Sequence, residues 1–148
     1  MLERLRLIWI AFFLAVCVYA LVPWFVAFEG LDSAAPSTVA LRSGLHAGAL
    51  GTAVASFLVR RQCTHRLLAA MQPDAPPAGD LWAQLQTGSV LTWAISEVVA
   101  LIGVAIALVT RNPYDALPFA GAALFLLYMH RLALWPVALI ERTAGSRP

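Results

Sequence analysis

Long uncharged runs of apolar residues dominate the chain, and short polar segments separate them. A helix of about 20 apolar residues crosses a hydrocarbon core of roughly 30 Å. Four runs approach this length, which predicts an all-α integral membrane protein built as a four-transmembrane-helix bundle. The predicted spans cover about residues 7–28, 37–59, 88–110 and 114–130.

The polar segment 60–87 predicts a cytoplasmic loop between the second and third spans. A proline-rich break, residues 73–80, divides it. The apolar residues on both sides of the break fall at helical spacing, which predicts an extension of the second helix and a short interfacial amphipathic helix before the third span. These residues are Leu67, Leu68, Met71, Leu81, Trp82 and Leu85.

Two further segments end or interrupt the apolar pattern. Residues 111–115 contain Asn112-Pro113, a strong helix breaker, and predict a tight turn. Residues 131–148 predict an interfacial C-terminal segment that leaves the hydrocarbon near His130. A continuous tilted helix is the alternative, and Pro136 argues against it.

Composition supports a membrane environment for one domain of 148 residues. Hydrophobic residues make up 61% and charged residues 12% of the chain, where a soluble domain carries roughly 25% charged residues. So few polar residues cannot cover a water-exposed surface. The composition argues against an ordinary soluble enzyme, a disordered chain and a nucleic-acid binder. We interpret residues 1–148 as a single transmembrane domain in the lipid bilayer.

All ten positive charges are arginines, and their distribution predicts orientation. Four spans place the N-terminus, the segment 60–87 and the C-terminus on one side, together with eight arginines, and leave Arg42 and Arg111 on the other. Cytoplasmic segments carry the excess of positive charge. Both termini are therefore predicted to be cytoplasmic, in a multi-pass protein of a bacterial-type inner membrane.

Small residues dominate the second span. Eleven of the 21 positions in 39–59 are Gly, Ala, Ser or Thr. Small residues four positions apart let helix backbones approach closely. We therefore predict that Gly44, Gly48 and Gly51 pack against neighbouring helices and that this span forms the centre of the bundle. Gly48→Leu is then expected to be more disruptive than Ala107→Leu.

Glu97 lies nine residues into the third span and is the sharpest candidate for chemistry. A charged side chain near the membrane midplane costs roughly 2.5–3.5 kcal/mol on insertion scales, and such residues are often functional. Three interpretations stay open. Glu97 is a neutral group that hydrogen-bonds another helix, an ion- or proton-handling group, or part of a ligand or lipid site.

His46 lies inside the second span, one helical turn after Arg42. It is predicted to hydrogen-bond a neighbouring helix, and no second histidine at matched depth supports haem ligation. Counted from opposite membrane edges, His46 and Glu97 reach similar depths. We therefore predict that Glu97 faces His46 directly or through water.

The remaining polar residues suggest no catalytic centre. No phosphate-binding loop, nucleophile elbow or pair of carboxylates is present, and the spacing of His65 and His130 fits no metal motif. Neither a cofactor nor a metal is expected. Arg60, Arg61 and Arg66 fit the orientation signal first and contact with lipid headgroups second.

Residues 90–108, Val-Leu-Thr-Trp-Ala-Ile-Ser-Glu-Val-Val-Ala-Leu-Ile-Gly-Val-Ala-Ile-Ala-Leu, resemble the carboxylate-bearing helix of rotary ATPase c subunits, the proteolipids. That family has an acid in an alanine-rich helix followed by an Ala-x-x-Gly-like stretch. The resemblance implies an ion-binding role for Glu97. The glycines of the second span resemble the family's glycine-rich partner helix, and Arg61-Gln62 its polar loop.

Taken together, these features favour a non-catalytic small integral membrane subunit or accessory protein of a larger inner-membrane assembly. Its expected partners are other membrane protein subunits or further copies of itself, and no nucleic acid. The alternative is a proton- or ion-translocating component that uses Glu97.

Overall fold

The computed structural model describes residues 2–26, 37–70 and 81–131. Within these ranges the chain is all-helical and contains no strand, which confirms the predicted helical class and the four helices. The α-helices are α1 (Leu2–Phe25), α2 (Ser37–Ala70), α3 (Leu81–Thr110) and α4 (Leu117–Met129), and a 3-10 turn at Pro113–Ala116 precedes α4.

Three of the helices run further than the predicted spans, and α1 already begins at Leu2. α2 continues past residue 59 to Ala70, as the spacing of its apolar residues predicted. α3 begins at Leu81 and continues without a break to Thr110. The separate interfacial helix predicted before the third span is therefore wrong, because no proline interrupts the helical spacing after Leu81. The predicted interfacial segment at the C-terminus lies outside the described residues beyond Arg131.

Two helical stretches are long and apolar enough to cross a membrane, Glu3–Phe25 and Leu81–Thr110. α4 has 13 residues and is about 20 Å long at 1.5 Å per residue. The 3-10 turn of four residues adds about 8 Å. Together they approach the thickness of a hydrocarbon core.

α3 lies at the centre of the bundle and packs against α1, α2 and α4. Its buried residues recur along the whole helix: Gly88, Thr92, Trp93, Ser96, Val99, Ala100, Gly103, Ile106 and Ala107. In the described part of α2 only Ala49, Ser56 and Leu67 are buried. The prediction that the second span forms the centre is therefore wrong. A small-residue helix permits close approach from any side, whereas α3 presents buried residues to three neighbours.

Side-chain contacts fix which helix ends lie together. At one end, the rings of Trp24 and Tyr114 pack edge to face with centroids 4.8 Å apart, and Arg42 forms an ion pair with Asp115 at 3.6 Å. At the other end, the indole N–H of Trp9 donates to the carbonyl of Leu127 over 3.1 Å. Neighbours in sequence are therefore antiparallel, and α1 runs parallel to α3.

The predicted tight turn joins α3 to the 3-10 turn. Arg111 adopts a left-handed backbone with φ of 56°, and the N–H of Asn112 donates to the carbonyl of Ala107 over 3.1 Å. This bond closes the last turn of α3 in a Schellman arrangement. The side-chain carbonyl of Asn112 then accepts from the N–H of Tyr114 over 3.2 Å, which caps the next helical turn.

Candidate functional site

Glu97 lies on the half-buried side of α3 that faces α1. The hydroxyl of Tyr19 on α1 donates a hydrogen bond to its carboxyl group. The ring of Phe12, two turns earlier on α1, packs against Trp93, one turn before Glu97, with centroids 6.3 Å apart. Tyr19 and Glu97 thus form a polar pair between α1 and α3. The tyrosine hydroxyl gives the carboxyl group a hydrogen-bond partner, which lipid would not supply.

The hydroxyls that precede Glu97 on α3 serve the helix itself. Thr92 donates to the carbonyl of Gly88 over 2.7 Å, and Ser96 donates to the carbonyl of Thr92 over 2.9 Å. Both side chains are buried. Their hydrogens are therefore used within α3, and Tyr19 is the hydroxyl partner that the structure brings to Glu97.

His46 lies on an exposed part of α2. Its Nδ1 is 2.7 Å from the carbonyl oxygen of Arg42, and its ring packs edge to face against Phe119 of α4, with centroids 5.2 Å apart. Among the described residues no hydrogen bond or ion pair joins it to Glu97. The predicted direct pairing of the two is wrong, because α3 turns Glu97 towards α1 while His46 lies beside α4.

Within the described part of the chain, the three glycines of α2 make no packing contact. A Cβ atom built on Gly44, Gly48 or Gly51 would meet no atom within 4 Å. Their predicted role in packing inside the bundle is therefore wrong. All three lie on the exposed side of α2, away from the face that packs on α3.

Two glycines of α3, and not those of α2, pack closely against neighbouring helices. A Cβ on Gly88 would lie 3.0 Å from the Cβ of Cys63 on α2, and a Cβ on Gly103 would collide with the side chain of Phe119 on α4. The structure favours the opposite of the predicted ranking, with Ala107→Leu more disruptive than Gly48→Leu, since Ala107 is completely buried.

The C-terminus of α4 is the most polar buried place in the described bundle, and three helices contribute to it. We call it the α4 junction and define it as Trp9, Ser56, Arg60, Trp93 and His130. The last carbonyls of a helix lack partners inside the helix. In this chain the side chains of α1, α2 and α3 supply those partners.

Three side chains donate four hydrogen bonds to the carbonyls at the end of α4. The indole N–H of Trp93 and the Nη1 of Arg60 donate to the carbonyl of His130 over 3.0 and 2.7 Å. The Nη2 of Arg60 reaches the carbonyl of Arg131 over 3.4 Å, and Trp9 binds Leu127 as described above. The positive charge of Arg60 also complements the negative end of the α4 dipole.

The imidazole of His130 is buried within the junction, with 1% of its surface exposed. Its Nε2 lies 3.1 Å from the hydroxyl oxygen of Ser56, and Phe57 packs edge to face on the ring with centroids 4.8 Å apart. Among the described residues, its Nδ1 has no hydrogen-bond partner.

Ser56 and His130 form a hydroxyl–imidazole pair, but their surroundings do not suit nucleophilic catalysis. The Ser56 hydroxyl donates to the carbonyl of Ala53 over 2.7 Å, so its hydrogen points into α2. Ser56 is completely buried, and among the described residues no acid orients the Nδ1 of His130. A catalytic serine needs an accessible oxygen and an oriented base. We therefore interpret the pair as part of the link between α2 and α4.

The arginines predicted to contact lipid headgroups separate into two kinds. Arg60 is half-buried and binds the carbonyls at the end of α4, so its guanidinium is not free for a headgroup. Arg61 and Arg66 are exposed. Within residues 2–26, 37–70 and 81–131, no group of three or more His, Cys, Asp or Glu side chains is placed to hold a metal ion.

Sequence reasoning missed Tyr19 and the α4 junction. Counting residues from the predicted membrane edges puts Trp9, Arg60 and His130 at the same edge of the bilayer, and this signal was present in the sequence. Depth alone does not give the rotation of each helix. The approach of Trp93 and Ser56 to His130 therefore depended on the packing around α3.

Comparison with protein-family models, curated proteins and solved structures finds no match to this chain.

Proposed function

We propose that the protein is a non-catalytic multi-pass subunit or accessory protein of a larger bacterial-type inner-membrane assembly, and that it contacts its partner through the exposed glycine face of α2. Gly44, Gly48 and Gly51 define this face. The observation that carries the proposal is the open space around all three glycines.

The physical argument concerns what glycine offers a membrane helix. Glycine is about 1 kcal/mol less favourable than alanine inside a helix, and its advantage is that a neighbouring backbone can approach closely. Among the described residues, a neighbouring helix approaches Gly88 and Gly103 closely, and none approaches the α2 glycines. A helix from another subunit, or from a second copy of this chain, would restore it.

The surroundings of the glycines are also suited to a membrane partner. Leu41, Leu50 and Val54 on the outer sides of α2 are 52%, 69% and 50% exposed. Lipid tails cover such side chains as well as protein does, whereas a glycine gains from close packing of another helix. The glycines therefore mark where protein contact is favoured over lipid on this helix.

The test compares co-purification of the wild-type chain and the Gly48→Leu variant under mild detergent. In the part of the chain that the structure describes, the side chain added by Gly48→Leu meets open space, so the fold should be retained while close helix approach is blocked. Loss of one defined co-purifying protein, or of self-association, in this variant alone supports the proposal. Leu50→Ala, on the same helix, is the control and should retain the partner. Equal recovery in all three proteins would refute it.

A second candidate function is proton or ion translocation through Glu97. The hydrogen bond from Tyr19 and the resemblance of residues 90–108 to proteolipid helices favour it. Glu97→Gln keeps a hydrogen-bonding group beside Tyr19 and removes the titratable one. Translocation would be supported by a proton flux into proteoliposomes that is abolished in Glu97→Gln and only reduced in Tyr19→Phe. Absence of flux from the wild-type chain and its assembly would exclude it.

A further inference from the structure

The end of the bundle that contains the α4 junction carries an excess of positive charge. Among the described residues at this end, Glu3 is the single carboxylate. The arginines there are Arg4, Arg6, Arg60, Arg61, Arg66 and Arg131.

Three separate elements bring the exposed guanidinium groups together. Arg4 and Arg6 stand on the first turns of α1, just before Trp9, and Arg61 and Arg66 stand on α2. Arg61 directly follows Arg60, which binds the carbonyl of Arg131. At 1.5 Å per residue, Arg6 and Arg66 lie within about 5 and 9 Å of the junction along their helices. The charges therefore lie at the same end of the bundle.

Arg131 is the best-positioned cation of the group. Its Cζ lies 5.9 Å from the centre of the Trp9 ring, in a cation–π contact. The hydrogen bond to Leu127 fixes the indole of Trp9, so the guanidinium rests on an ordered surface while it remains exposed. A planar guanidinium binds the oxygens of a phosphate with two parallel hydrogen bonds.

We infer that this end of the bundle binds the headgroup of an anionic phospholipid, with the phosphate at Arg131 and further contacts from arginines of α1 and α2. The inference rests on the proposed insertion of the chain in a membrane. Tryptophan beside arginine is typical of the headgroup region, and clustered arginines favour anionic over zwitterionic lipids. The sequence predicted headgroup contacts for Arg60, Arg61 and Arg66. The inferred site keeps Arg61 and Arg66 and contains Arg131 in place of Arg60.

The experiment uses the purified full-length protein in detergent with equimolar phosphatidylglycerol and phosphatidylcholine of the same acyl chains. Native mass spectrometry reports which lipid stays bound. The wild-type chain should retain phosphatidylglycerol in preference. Each arginine near the headgroup contributes on the order of fivefold in affinity, so Arg131→Gln should lower phosphatidylglycerol retention about fivefold and leave phosphatidylcholine unchanged. The double variant Arg61→Gln/Arg66→Gln should lower it further.

Arg42→Gln is the matched control, because Arg42 is an exposed arginine at the opposite end of the bundle. It should retain phosphatidylglycerol as the wild-type chain does, and helical circular dichroism should be the same in all variants. Equal retention of the two lipids by the wild-type chain would overturn the inference, as would an equal loss in Arg42→Gln. Displacement of the lipid by millimolar inorganic phosphate or by an acidic peptide would assign the site to a different ligand.

The lipid test and the partner test fail independently. Lipid preference is measured on the isolated chain and does not involve the α2 glycines. Gly48→Leu should therefore lose the partner and keep its phosphatidylglycerol, whereas Arg131→Gln should show the opposite pattern.

Discussion

Gly48 and Gly103 allow one substitution to be compared in two environments. Both are helical glycines, so replacement by alanine gives each helix the same gain of about 1 kcal/mol in intrinsic propensity. A Cβ on Gly48 meets open space. A Cβ on Gly103 collides with the Phe119 side chain and lies 3.2 Å from the carbonyl oxygen of Ala116. The difference between the two variants therefore measures packing alone.

The expected magnitude follows from these contacts. Insertion of a methyl group into a packed core lowers the free energy of unfolding by about 1–3 kcal/mol, because neighbouring groups must shift. The carbonyl oxygen of Ala116 belongs to the backbone and cannot move away cheaply. Because the propensity gain is the same in both variants, the free energy of unfolding of Gly103→Ala should be about 1–3 kcal/mol below that of Gly48→Ala. Gly48→Ala should be at least as stable as the wild-type chain.

The assay is reversible unfolding of the purified protein in mild detergent by sodium dodecyl sulfate, followed by circular dichroism. Ala107→Leu and Gly48→Leu provide a second pair with a larger side chain, and Ala107→Leu should be the less stable of the two. Equal losses for the two glycines, or a larger loss for Gly48→Ala, would refute the placement of α3 at the centre and of the α2 glycines on the outside.

Two further predictions concern the α4 junction. Arg60→Met should lower the free energy of unfolding by about 2–3 kcal/mol, because buried carbonyls lose a charged donor. In the same unfolding assay, Arg61→Met, at an exposed position, should change it by less than about 0.5 kcal/mol. Equal effects of the two substitutions would contradict the role of Arg60 in the α4 junction. Trp93→Phe should cost about 1 kcal/mol or more through the lost indole donor, whereas Trp24→Phe, an exposed ring, should cost less.

The helices were predictable from sequence because each depends on local properties. Uninterrupted apolar runs give α1 and α3, and Asn112-Pro113 gives the break before α4. Helix ends were less predictable. The segment 81–87 is polar enough to suggest a separate interfacial helix, yet nothing in it prevents a continuous helix, and α3 extends through it.

The arrangement of the helices was less accessible, for reasons that Gly48 and Gly103 illustrate. A glycine indicates that close approach is possible, but the residue on the other side decides whether it occurs. Phe119 supplies that neighbour for Gly103, and no described residue supplies it for Gly48. The small residues of α2 therefore predicted that α2 forms the centre of the bundle, whereas α3 forms it.

The partner of Glu97 shows the same distinction between depth and direction. Residue counting placed Glu97 and His46 at similar depth and correctly indicated that a buried acid needs a polar partner. Rotation of α3 about its axis turns Glu97 towards Tyr19, which residue counting does not indicate. A phenol offers the same hydrogen bond to a carboxyl group with no charge to bury.

The central claim is that the glycine face of α2 contacts another protein, and site-specific photo-cross-linking in native membranes tests it most directly. A photoreactive residue is placed at Gly48, and in a separate protein at Leu14 on α1, which is 57% exposed. The account predicts one discrete cross-linked protein product from position 48 and none from position 14. Lipid adducts alone from position 48, or the same protein product from both positions, would contradict it.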